Sequence, residues 1–160
     1  METSVNTPTR GPVAVIEVEA DIRRSPEEVF DYASDPAREP EWNIRMKRVV
    51  MLTEGPVGVG ARYRMEFTQV PPAISECVRF EPPSFWELVG GSKIISSGFR
   101  GRVEPSGDGS HLLLRMEIRP HGPLRLALRL LRRRMQRELD RDIATIEAKL
   151  EGAERPVGPL

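Results

Sequence analysis

Between residues 13 and 120 apolar side chains recur mostly at every second position, and from 122 to 151 at every third or fourth. The first rhythm is that of β-strands with one wet face, the second that of an amphipathic helix. Ala14, Ile16, Val18, Ala20 and Ile22 alternate with Glu17, Glu19 and Asp21 and predict a strand over 13–22. Further strands are predicted over 48–54, 61–68, 74–80, 85–89 and 93–103, and one through Leu112, Leu114, Met116 and Ile118. Gly55-Pro56, Pro71-Pro72, Pro82-Pro83 and Ser106-Gly107-Asp108-Gly109 separate them as turns.

Two short helices interrupt the strands early. Ser25-Pro26-Glu27-Glu28 has the form of a capping box with proline in the first turn. Val29, Phe30 and Ala33 give that helix an inward side, Asp35-Pro36 ends it, and a further helical turn is expected from Ala37 to Trp42. The last helix opens at Gly122-Pro123 and ends at Gly152. Its stripe is Leu124, Leu128, Leu131, Met135, Leu139, Ile143, Ile146 and Leu150. About 30 residues make it roughly 45 Å long. Strands joined by tight turns form an antiparallel meander, and a twisted meander of about seven strands curls. The expected fold is α+β: a curved antiparallel sheet wrapped around the long C-terminal helix.

Composition narrows the function classes. The chain has 160 residues, the length of one domain, with 24 basic and 24 acidic residues. That balance counts against a general nucleic-acid binder. The local exception is the run Arg125, Arg129, Arg132, Arg133, Arg134, Arg137, which no acid interrupts. Leu126 and Leu130 fall among these arginines, away from the stripe, and are expected to be partly exposed and to meet a membrane surface, a partner protein or the flanking loop. One cysteine, Cys77, excludes an intrachain disulfide. No signal-peptide pattern opens the chain and no apolar run is long enough to span a bilayer, so the expected setting is cytoplasmic. Residues 1–12 and 153–160, rich in proline and polar groups, are expected to be a disordered arm and tail around a domain of 13–152. Monomer and homodimer both stay open.

Candidate chemistry is sparse. His111 and His121 are the only histidines, and no metal-ligand spacing accompanies them, so no metal or cofactor is expected. No nucleophile elbow is present, and mid-strand Cys77 reads as a small buried hydrophobe, so no catalytic residue is assigned. If Phe80 faces Phe85 across the Pro82-Pro83 turn, then Glu76 and Glu87 share a face with Ile74, Val78 and Val89. The opposite face carries Ser75, Cys77, Arg79, Trp86 and Leu88, and neither is cleanly apolar. Glu76, Glu87 and Arg100 are therefore candidate polar cavity residues. The expected ligand-binding lining is Trp42, Tyr63, Met65, Phe67, Phe99, Leu114, Met116, Leu128 and Leu131. A wide sheet with one helix to fill it, and only nine aromatic residues, leaves interior volume.

The segment SPEEVFDYASDPAREPEWNIRMKRV at 25–49 resembles the opening of the SRPBCC superfamily, which includes polyketide cyclase/dehydrase proteins, START lipid-transfer domains and birch-pollen-allergen-type proteins. GVGARYRM at 58–65, FEPPSFWEL at 80–88, the GDG turn at 107–109, the Gly-Pro-Leu helix start and the AKLEG ending fit the same pattern. The resemblance spans about residues 13–152 and implies the helix-grip fold, with a hydrophobic cavity between sheet and helix and the Gly55–Gly60 loop at its entrance. It implies binding or carriage of a hydrophobic or aromatic small molecule, lipid- or polyketide-like. A cyclase or dehydratase working through a cavity carboxylate is the alternative, and an interaction module acting through the arginine-rich helix a second one.

Overall fold

The computed structural model describes residues 13–152. The arm and tail expected over 1–12 and 153–160 lie outside the described residues. Seven strands occur in chain order: β1 (Ala14–Ile22), β2 (Met46–Met51), β3 (Arg62–Phe67), β4 (Ala73–Glu81), β5 (Phe85–Gly91), β6 (Ile95–Ser106) and β7 (Gly109–Pro120). They form one antiparallel sheet in the order β1-β7-β6-β5-β4-β3-β2. The meander thus runs from β2 to β7, and β1 closes the far side by pairing with β7.

Helix α1 (Pro26–Ala33) begins in the expected capping box: the Glu28 N–H donates to Ser25 Oγ at 3.3 Å, and the Ser25 N–H donates to Glu28 Oε2 at 3.1 Å. Asp35 starts a short 3-10 turn (Pro36–Arg38) by accepting from the Ala37 N–H, and α2 (Glu39–Trp42) follows. The C-terminal helix opens as a 3-10 segment, Gly122–Ala127, and becomes α-helical as α3 over Leu128–Gly152. Gly122 has φ +56°, a left-handed turn that suits glycine, and Pro123 takes the first turn.

The helix stripe is buried unevenly. Leu139, Ile143 and Ile146 are inaccessible or nearly so, whereas Leu124, Leu128, Leu131 and Met135 are only partly covered. Helix α1 accounts for the difference, because it packs on β6 and β7 and fills one end of the concave face. There Phe30 meets Phe80 at 5.3 Å and Trp86 edge-on at 5.5 Å between ring centroids. Gly101 makes room for the indole: a Cβ at this position would lie 2.0 Å from Trp86 Cη2.

Side chains also tie α3 to both edge strands. On β1, Gln136 Nε2 donates to the Glu17 carbonyl at 3.2 Å and Arg132 Nε to the Val15 carbonyl at 3.4 Å. On the β2 side, Arg45 reaches two carboxylates of α3.

The register of the β4–β5 hairpin decides which face turns inward. Glu81 pairs with Phe85, Phe80 with Trp86 and Arg79 with Glu87; a bulge at Val78 then restores Cys77 opposite Leu88 and Glu76 opposite Val89. The expected pairing of Phe80 with Phe85 is thus corrected by one residue. The bulge breaks strict alternation, so Phe80 joins the inner face with Cys77, Trp86 and Leu88.

Candidate functional site

Beyond the end that α1 fills, sheet and helix do not meet completely. A cavity of about 230 Å³ remains between β3–β7 and the first half of α3. Its apolar wall includes Met65, Phe67, Leu88, Ile95, Phe99, Met116 and Ile118 from the sheet, with Leu131 and Met135 from the helix. Thr68, Gln69, Val70 and Pro71 in the β3–β4 loop, and Ser92 and Ile94 in the β5–β6 turn, line its rim. The Gly55–Gly60 loop does not border it. That loop folds back onto β4, where the Gly60 N–H donates to the Cys77 carbonyl at 2.9 Å.

The inner limit of the cavity follows sheet rows. Leu88, Phe99 and Met116 are cross-strand partners and all line it. The next row, Trp86, Gly101 and Leu114, is packed solid. The same division separates Met65 from Tyr63 on β3 and Ser75 from Cys77 on β4. Of the nine residues expected to line the cavity, the structure brings Met65, Phe67, Phe99, Met116 and Leu131 to it. Trp42, Tyr63 and Leu114 are buried away from it, and Leu128 is half-buried at the start of α3. Burial pushes the Tyr63 phenol up to about 12, so it is a neutral core group.

Glu76, Glu87 and Arg100 do not face the cavity. Arg100 Nε donates to Glu87 Oε1 at 2.9 Å, and Glu76 stands opposite Arg62 and Val89, out of phase with the inward Ser75 and Cys77. These three residues belong to the outer face, which the alternation left undecided.

Besides the serines of the sheet and the polar residues of the rim, a charged cluster reaches the cavity from α2, the turn before β2, and α3. Glu39, Asn43, Arg45 and Glu138 all line it. Asn43 Nδ2 donates to Glu39 Oε1 at 3.0 Å, and the Arg45 N–H donates to Asn43 Oδ1 at 3.2 Å. Arg45 then reaches across to α3, with Nη1 2.8 Å from Glu138 Oε2 and Nη2 2.8 Å from Asp142 Oδ2. Its Nε–H is buried and meets no acceptor among the described residues. Three carboxyls around one guanidinium hold excess negative charge in a poorly solvated place. Burial pushes Glu39 up to about 7, with the charge of Asp142 adding to it against the pull of Asn43 and Arg45. Burial likewise raises Asp142 to about 6, against the pull of Arg45. Glu39 keeps some solvent contact as a residue, but near neutral pH its carboxyl is poised between donor and acceptor.

Sequence reasoning passed over this cluster. Asp142 nevertheless carried a signal, since it lies three residues after Leu139 and four before Ile146, on the buried stripe itself. Helix α2 is too short to show a period, so Glu39 carried none. The other chemical candidates lie outside the cavity lining. Cys77 is buried, with its thiol raised by burial. His111 bonds Asp21 and Glu19 on the sheet, and His121 bonds Ser96 and the Lys93 carbonyl. No group of three or more metal-ligating side chains occurs among the described residues. No helix among them is long and apolar enough to cross a membrane.

Comparison with known proteins agrees with this architecture. The family model described as "Polyketide cyclase / dehydrase and lipid transport" matches residues 13–151. Zhui aromatase/cyclase from Streptomyces sp. R1128 superposes with a TM-score of 0.78 at 13% identity, over 93% of this chain and 100% of that one. A START superfamily protein from Mycobacterium smegmatis gives 0.71 at 14% identity, over 88% and 99%. Ara h 8.0201 gives 0.67 at 14% identity, also over 88% and 99%. At these identities the structures share the fold alone. A search of curated proteins returned no match. The match across the whole described domain, together with the sheet gripping a C-terminal helix over an apolar cavity, makes this chain a member of the polyketide cyclase/dehydrase and lipid transport family of the SRPBCC superfamily.

Proposed function

We propose that the protein binds and carries an apolar or aromatic small molecule bearing one polar end. The observation that supports this reading is the partly enclosed cavity, walled by methionine, phenylalanine and aliphatic side chains, with a charged cluster of Glu39, Arg45 and Glu138 in its lining. Burial of the ligand's apolar body supplies affinity at roughly 25 cal/mol per Å², less the cost of association. The polar end meets Glu39, Asn43 and Arg45. Arg45 Nε–H offers a buried donor without an acceptor, and the protonated Glu39 carboxyl a second, so a carbonyl or hydroxyl oxygen suits this corner. The test is a titration with an apolar fluorescent dye, followed by competition with lipids and polycyclic aromatics. Met65→Trp fills the cavity and abolishes binding in a chain that still folds. Unchanged dye affinity in that variant would refute the assignment.

A second reading rests on Glu39. A carboxyl poised near 7 in an apolar cavity is suited to proton transfer, which the cyclase or dehydratase alternative needs. Glu39→Gln separates the two. A carrier keeps its dye affinity and shows no reaction to lose, whereas an enzyme keeps binding and loses turnover.

A further inference from the structure

The outer face of the C-terminal helix presents a charge pattern found nowhere else on the molecule's described surface. On the sheet, arginines meet acids: Arg48 and Arg64 share Glu66, Arg79 meets Glu81, Arg100 meets Glu87, and Arg115 meets Glu17 and Glu117. On the helix Arg125, Arg129, Arg133 and Arg137 are exposed and have no hydrogen-bond or ion-pair partner among the described residues. Their first acidic neighbour along the helix is Glu138, already held by Arg45 and Arg134. A chain of zero net charge therefore gathers uncompensated positive charge on one helix.

Two large apolar side chains stand among these arginines. Leu126 is 93% exposed and Leu130 71%. Steps of four carry this row from Leu126 through Leu130 to Arg134, which donates from Nη2 to Gln69 Oε1 at 3.1 Å. Gln69 and Arg134 both line the cavity, as does Val70, itself 51% exposed. The basic, leucine-bearing row thus leads directly to the cavity's rim.

We infer that this row is a docking surface for an anionic lipid bilayer, with Leu126 and Leu130 inserted below the headgroups and Arg125, Arg129, Arg133 and Arg137 against the phosphates. Free guanidiniums alone would suit any acidic partner. Two leucines standing largely in solvent among those guanidiniums suit a fluid apolar phase that moulds around them. Charge brings the helix to the membrane and the leucines hold it there, the two signals that peripheral attachment needs. Docking in this way turns the cavity's rim toward the lipid. The inference rests on the helix surface and holds whatever the cavity contains.

The experiment is flotation of the full chain with phosphatidylcholine vesicles, with and without phosphatidylserine, at low and high salt. The protein floats with the anionic vesicles only, and less at high salt. Leu126→Ser/Leu130→Ser and Arg129→Glu/Arg133→Glu each lower the partition at least ~10-fold. All four positions are exposed, so circular dichroism and thermal unfolding of both variants stay as in the parent. Absence of flotation, or equal flotation with neutral vesicles, overturns the inference. So does undiminished binding by the leucine variant, which would show a purely electrostatic attachment with no leucine inserted.

Discussion

Arg45, in the turn that leads into β2, is joined to the middle of α3 through Asp142, with Nη2 and Oδ2 2.8 Å apart and the aspartate side chain only 3% exposed. Removing the guanidinium leaves Asp142 and Glu138 without their shared partner. Arg45→Met is expected to destabilise the fold by about 3 kcal/mol, whereas adding Asp142→Leu recovers most of that loss. Chemical denaturation of the single and double variants measures both.

The same cluster sets a pH dependence. Glu39 and Asp142 hold their protons more tightly in the folded chain, at about 7 and about 6, than at their ordinary values of 4.5 and 3.8. The folded state therefore binds more protons than the unfolded one across that interval. Their contribution to stability is complete below the ordinary values and is lost as pH rises through about 6 and about 7. Glu39→Gln removes its own part of this slope, roughly 1–2 kcal/mol after allowance for solvent reaching the residue. Melting temperatures from about pH 5 to about pH 8, compared between parent and variant, show it as a flatter curve.

Gly101 and Trp86 supply a packing prediction. Gly101→Ala forces a methyl group into the indole and costs about 1–3 kcal/mol. Trp86→Leu introduced with it relieves the clash, so the double variant loses less than the two single losses combined. Thermal unfolding of the three proteins decides this.

Leu114 and Met116 separate stability from binding. Leu114 is inaccessible and packed in the row of Trp86, so Leu114→Ala costs about 2–5 kcal/mol and leaves dye affinity unchanged. Met116 lines the cavity, and Met116→Trp obstructs it with a smaller change in stability. Calorimetric unfolding and dye titration, run on both, give opposite orders of effect.

Most of the fold was legible because its signals are periodic. Alternation along Ala14–Ile22 and Leu112–Ile118, and the three-and-four spacing from Leu128 to Leu150, each bury one face and fix the element that bears them. The site was less legible because it depends on departures from period. The bulge at Val78 moves Phe80 inward, and the outward Glu76 and Glu87 do not differ in pattern from inward residues along a strand with apolar groups on both faces. Tyr63 and Leu114 are inward residues by their spacing, and inward they are. Which inward residues meet a partner and which meet a void depends on where α1 docks, and no local pattern in Pro26–Ala33 records that. Asp142 shows the converse, since a carboxylate spaced with leucines and isoleucines along a helix is itself the mark of a buried polar cluster.

The straight boundary between the Leu88–Phe99–Met116 row and the Trp86–Gly101–Leu114 row has a consequence for how such a chain changes over generations. A scaffold whose empty and solid halves meet at a single rank of side chains keeps its foldability and its selectivity in separate inheritances. Substitutions on the near rank reshape what is accepted at little cost to folding, and those on the far rank are held nearly fixed by their neighbours. One architecture can then diversify its guests while its foundation drifts slowly.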